Sequence, residues 1–265
     1  MLLRFPVPFF TSQERTNLVQ MDKIPLEMSG EESPIKFRDC FSVRYIQSAA
    51  LLCRLGFFIE KEYRAAEDVP PEILLKHEAF ILNSVLSSVA FLESTINELY
   101  ADAADEAYFF SDDKHEALLR QIREKWTNEK NFDRAPMITK YQKILTIGER
   151  LPFEGGDRAF DNIHDLIEIR NHLMHYKREW VVIGDWGKQD SGEETTGARF
   201  EKNLRKKFAI NPLAAGNLPF FPDKCLGHGC AEWAVINSLI FCDEFFRRLD
   251  LPAPYEGVRG EMATR

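Results

Sequence analysis

The side chains best suited to chemistry gather in one twelve-residue stretch late in the chain. His164, Glu168, Asn171 and His175 recur there at i, i+4, i+7 and i+11, a polar stripe along one side of a helix, with Arg170 and His172 beside it. Three of the six histidines fall within this stretch. A neutral imidazole can take a proton from an attacking hydroxyl, and a positioned guanidinium can stabilise charge developing on a phosphate, so these residue types suffice for phosphate chemistry without a metal. His172 and His175, at i+3, could offer two zinc ligands. No HExxH pattern and no cysteine accompany them, so no metal is expected. Asn171, one i+4 step before His175, is placed to hydrogen-bond the ring and hold its tautomer. On an ideal helix Arg170 and His175 point roughly 140° apart, so a phosphate shared between them calls for a long swing of the arginine or a cleft built from two chains.

Arg170 also falls at the centre of the apolar arc made by Ile163, Leu166, Ile167, Leu173 and Met174. On an earlier helix Glu93 falls at the centre of the arc of Leu82, Leu86, Val89, Ile96 and Tyr100, while Glu98 lies on the opposite face. Two opposite charges on two apolar faces predict a buried Glu93–Arg170 pair that joins the helices, because an unpaired buried charge costs several kcal/mol. Such a pair could equally do no more than set helix register.

Smaller signals lie further on. Arg205, Lys206 and Lys207, flanked by Phe200 and Phe208, form the one compact basic cluster, suited either to single-stranded RNA or to a solvated turn. Cys225-x2-His228-x-Cys230 has zinc-ligand residue types but lacks a fourth ligand and the usual spacing. Asn211-Pro212 and Pro219-Phe220-Phe221-Pro222 read as an ordered loop that packs its aromatics on the core.

Positioning these residues requires helices. Ile46, Ala49, Ala50, Cys53 and Phe57 give one apolar face between Asp39 and about Glu67. Pro70 and Pro71 end that helix and open a second, where Leu82, Val85, Val89, Leu92, Ile96 and Leu99 repeat over five turns. Further helices are predicted over about 112–126, 136–150, 157–177 and 229–249, with Asp112 and Asp113 suited to the start of the third. The expectation is an all-α bundle of about six helices. Residues 1–38 form an extended arm, 39–180 the helical core, 181–225 a long irregular insert, and 226–250 a last helix that completes the bundle. That last helix is apolar on two sides, with Trp233, Ile236 and Ile240 forming the second, which predicts a central position or a subunit contact.

Composition excludes several classes. The 265 residues carry 34 Lys+Arg against 42 Asp+Glu, a formal charge of −8, which rules out a broad basic nucleic-acid coat and confines any such contact to a local patch. The longest uncharged stretches fall short of the roughly 20 apolar residues of a membrane span, and the proline-broken start does not read as a secretory signal. No membrane association and a cytoplasmic location are expected. Five cysteines, an odd number with two in apolar helical patterns, do not form a disulfide framework. No P-loop, dinucleotide fingerprint or GxSxG elbow occurs, so no cofactor is expected.

Ile169-Arg170-Asn171-His172-Leu173-Met174-His175 resembles the Arg-Asn-x3-His signature of HEPN domains, the "higher eukaryotes and prokaryotes nucleotide-binding" helical superfamily. The stretch from Ser88 to Glu93, followed by Ile96-Asn97-Glu98-Leu99, resembles the long second helix of its bacterial members. The resemblance covers about 39–180 plus the last helix. It implies a HEPN-like helical bundle that dimerises, often as a metal-independent endoribonuclease acting in defence, stress or toxin–antitoxin systems. By position Arg170 and His175 would then be the active pair, with Asn171 between them; Glu93 and His172 are expected in support, and Arg205, Lys206 and Lys207, in an insert that the resemblance does not cover, are expected as RNA contacts from their own basic–aromatic pattern. RNA, a second copy of the chain, and a protein antitoxin or regulator are the partners it suggests. The alternative is a non-catalytic module of the same fold that binds a nucleotide, an RNA or a protein.

Overall fold

A computed structural model describes residues 40–104, 113–128, 132–182, 185–189 and 192–265. The expected arm over 1–38 and the expected role of Asp112 lie outside the described residues. Within them the chain is mainly helical, in the order α1 (Phe41–Tyr63), α2 (Pro71–Ala104), α3 (Asp113–Asn128), α4 (Met137–Ile147), α5 (Arg158–Met174), α6 (Thr196–Leu204) and α7 (His228–Leu249). Proline and acidic caps set several starts as expected: Pro71 opens α2, Pro136 precedes α4, and the Asp157 carboxylate accepts from the Ala159 amide at the start of α5.

α1 and α2 pack antiparallel, and α7 crosses both, so that Ile46, Ala50, Cys53, Val85, Leu92 and Phe241 share one core. The join at the start of α1 is polar. Cys40 offers no side-chain cap, and Glu98 of α2 supplies it instead, accepting from the Ser42 amide at 2.9 Å and from the Ser42 hydroxyl. A carboxylate there satisfies an orphan donor and faces the positive end of the helix. α4 is tied in by Tyr141, whose hydroxyl donates to the Leu92 carbonyl at 2.8 Å while its ring meets Phe241 and Phe245 edge-on.

The expected Glu93–Arg170 pair does not form. Glu93 is exposed and Arg170 is half-buried, and among the described residues no ion pair joins them. The reason lies in the buried face of α2, which includes Ser84, Ser88 and Thr95. These small hydroxyls bury cheaply because each donates to a carbonyl: Ser84 to Ala49, Ser88 to Ser84 and Thr95 to Phe91. An arc drawn through large apolar residues alone is therefore rotated away from the true one, and Glu98, expected on the open face, is the carboxylate at the helix joint. On α5 the buried residues are Asn162, Ile163, Leu166 and Ile169, which puts Arg170 at the rim and leaves Met174 exposed.

By length and composition α2 is apolar enough to cross a membrane, although half of its most apolar window is buried inside the bundle. The insert is more ordered than its composition suggests. It contains a two-stranded antiparallel ribbon, β1 (Val181–Val182) with β2 (Asp185–Gln189), then α6, then one helical turn over Phe220–Lys224.

Candidate functional site

α5 ends at Met174, three residues short of the expected boundary, so His175 is its C-terminal cap (φ −123°, ψ 41°), with its amide donating to the Asn171 carbonyl at 2.9 Å. This early end takes His175 off the helical stripe on which the sequence placed it. Its ring is exposed and makes no hydrogen bond among the described residues. Arg170, just over one turn earlier, donates from Nη1 to the Asn171 side-chain oxygen at 2.9 Å and meets no carboxylate among the described residues. Asn171 therefore holds the arginine, whereas the sequence assigned it to the His175 ring.

His172 has a different setting from its neighbours. Its ring lies edge-on to Phe200 of α6, with centroids 5.0 Å apart, and close to Phe221. Its Nε2 is 2.8 Å from Nη2 of Arg199. A guanidinium only donates, so Nε2 accepts and the imidazole is neutral, with its proton on Nδ1. Burial first, and then the Arg199 charge, hold the His172 pKa below the usual histidine range. Beside this contact Glu179 accepts from the amide and hydroxyl of Thr196, capping α6, while the Thr195 side chain accepts from the Ala198 amide. Together these bonds dock α6 on the end of α5.

The C-terminal end of α5 thus carries Arg170, His172, His175, Lys177, Arg178 and Arg199. Two large aromatic side chains stand out among these residues, Tyr176 at 62% and Trp180 at 84% exposed. Tyr176-Lys177-Arg178-Glu179-Trp180 is an aromatic-basic run legible in the sequence directly after the histidine, although it has no helical spacing to mark it. Arg199 left no such signal, since it reaches His172 only through the folded insert.

The basic cluster does not join this end. Arg205 is neutralised by Glu201 at 2.5 Å. Lys207 donates to Asn162 at 2.7 Å and to Asp165 at 2.5 Å, toward the start of α5, roughly 20 Å of helix from His175. Lys206 is exposed at that same end.

No protein-family model, curated protein or solved structure matches the chain.

The remaining sequence signals have structural settings. Cys225 and Cys230 are buried, and the neighbouring Cys225 thiol is the first cause that pushes the Cys230 pKa well up. The His228 ring packs on Phe57 and faces the Thr264 carbonyl at 3.2 Å. Among the described residues no group of three or more His, Cys, Asp or Glu is arranged to hold a metal. On α7, Trp233 is buried, whereas Ile236 and Ile240 are 42% and 48% exposed, an apolar pair one turn apart.

Proposed function

We propose that the protein is a metal-independent endoribonuclease of HEPN type. The observation that carries this reading is the end of α5, where an exposed imidazole, His175, stands one turn from a guanidinium, Arg170, that no carboxylate neutralises among the described residues. His175 takes the proton of a ribose 2′-OH as its oxygen attacks the adjacent phosphorus. The bond to the 5′ oxygen breaks, that oxygen gains a proton from water, and Arg170 stabilises the charge on the phosphate. Asn171 positions Arg170, and His172 secures α6 beside it. Tyr176 and Trp180 provide faces on which unpaired bases stack, with Lys177 and Arg178 for the backbone, so the substrate is single-stranded RNA. A homodimer, formed through Ile236 and Ile240 of α7, brings two such ends into one assembly in the cytoplasm.

A second reading, a non-catalytic module that binds RNA or a partner protein such as an antitoxin, is favoured by one contact. The Asn171 amide oxygen is spent on Arg170, which leaves the His175 ring unoriented within one chain. Incubation with mixed RNA in EDTA separates the two. The enzyme leaves 2′,3′-cyclic phosphate ends, spares a substrate with a 2′-deoxy nucleotide at the cut, and loses about 10²–10⁴-fold in rate in His175→Ala. No cleavage in single-turnover assays, or equal cleavage by His175→Ala, leaves the binding module.

A further inference from the structure

Near the start of α5 a cavity of about 280 Å³ opens between α5, α7 and the segment that follows α6. Its walls are rich in donors. Arg158 and Lys206 are exposed and have no carboxylate partner among the described residues, and Lys207 is held at the wall by Asn162 and Asp165. The floor is a buried amide pair in which Asn162 donates to the Asn237 side-chain oxygen at 2.6 Å, while Asn237 donates to the Trp233 carbonyl at 2.7 Å. Asn162 has a second N–H to give. Trp233 is only 7% exposed and lines the cavity, yet its indole N–H meets no acceptor among the described residues. A buried donor without an acceptor costs free energy unless something fills the role.

With Lys207 neutralised by Asp165, the cavity presents two uncommitted cations, Arg158 and Lys206, a spare amide N–H and an orphaned indole N–H, against one carboxylate, Asp161, which accepts from the Gly156 amide. An occupant of this space must therefore bring oxygen acceptors and negative charge. Arginine with lysine ammonium groups and neutral N–H donors is the donor set that a phosphate group satisfies. We propose that this cavity is a phosphate-binding site that takes the phosphate of a ribonucleotide, Lys206 and Arg158 meeting its charge at the mouth and Asn162 and Trp233 donating to it from the floor. The site lies at the far end of α5 from His175 and does not depend on cleavage. As an RNA site it deepens the ribonuclease reading.

The test uses the full chain and calorimetric titration with AMP, adenosine and inorganic phosphate at low salt. AMP and phosphate are expected to bind saturably at one site, with adenosine at least about tenfold weaker. Arg158→Gln combined with Lys206→Gln, both at exposed positions, is expected to weaken AMP about tenfold or more. Trp233→Phe, which keeps an aromatic ring and removes the N–H, should weaken it several-fold. Lys76→Gln, at an exposed position on α2, should bind as the parent does. Displacement of AMP by an RNA oligonucleotide without terminal phosphate identifies a backbone phosphate as the natural occupant, and displacement only by a 5′-phosphorylated one identifies a terminal phosphate. Either supports the site. Absence of saturable AMP binding, adenosine binding as tightly as AMP, or an unchanged affinity in both variants overturns it. Loss of the ribonuclease reading alone shows differently, as phosphate binding with no RNA cleavage.

Discussion

Nε2 of His172 accepts a hydrogen bond from Arg199 at 2.8 Å, so a neutral imidazole joins the insert to the end of α5. Protonating that ring removes the acceptor and sets two cations face to face. Because the folded chain holds the His172 pKa below its usual value, this contact contributes fully above the ordinary histidine range and is lost as pH falls through the lowered value. Ring titration by NMR should place His172 below the usual histidine value of about 6.5. In Arg199→Gln it should rise only part of the way, since burial is the larger cause. Thermal unfolding should show the parent's advantage over Arg199→Gln shrinking from pH 7.5 to pH 5.

Glu98 carries the opposite sign. Burial raises its carboxyl above the usual range even though Ser42 bonds to it. Folding therefore favours the protonated form, and the stabilisation this brings is present below the unfolded value and lost as pH rises through the folded one. Glu98→Gln should gain on the parent in melting temperature between pH 4 and pH 7. Glu98→Ala, which leaves the Ser42 amide uncapped, should cost about 1–2 kcal/mol in urea unfolding.

Gly229 sits in the first turn of α7 with backbone pressed on backbone. A Cβ there would lie 2.3 Å from the Ala209 carbonyl oxygen and 2.9 Å from its nitrogen, so the insert must move to admit it. Gly229→Ala should destabilise by about 1–3 kcal/mol despite alanine's better helix propensity. Gly56→Ala should cost less, because its nearest obstacle, at 2.5 Å, is the rotatable Cδ1 of Ile81.

Trp180→Ala should weaken single-stranded RNA by about 1–3 kcal/mol in filter binding, and Tyr176→Ala by a similar amount, if each holds a base by stacking. Neither change should alter the melting temperature by more than a degree or two, given how little of either side chain is covered. Duplex RNA, whose bases are already stacked, should bind the parent and both variants alike.

The helices were readable because prolines and aspartates mark their starts and their apolar residues repeat. α1, α2, α5 and α7 begin within two residues of the expected positions. Partnerships between helices were not readable in the same way. Ser84, Ser88 and Thr95 are polar in sequence and core in the fold, and omitting them turned the α2 face enough to make Glu93 seem buried and Glu98 free. The arginine, asparagine and histidines of the candidate site were visible as residue types at a helical spacing. The Asn171–Arg170 bond and the departure of His175 from the helix were not, because both depend on where α5 stops. Order in 181–225 was hidden for another reason. α6 is short, and it is secured by Glu179, His172 and Phe221, residues distant in sequence that no local pattern connects.

The outer side of α1 has a consequence for how the chain is made. Gln47 and Arg54 bond Glu261, Arg54 also bonds the Ala263 carbonyl 209 positions away, and Glu60 accepts from the His228 amide 168 positions away. During synthesis α1 can pair with α2 almost at once, but that side stays open until nearly all the described residues have been translated. At ribosomal rates of about 5–20 residues per second the wait is on the order of ten seconds or more. Leu51 and Phe58, half-exposed even in the finished fold, lie on the nascent hairpin throughout that interval. The α1–α2 hairpin is thus where a holding chaperone would first find its grip.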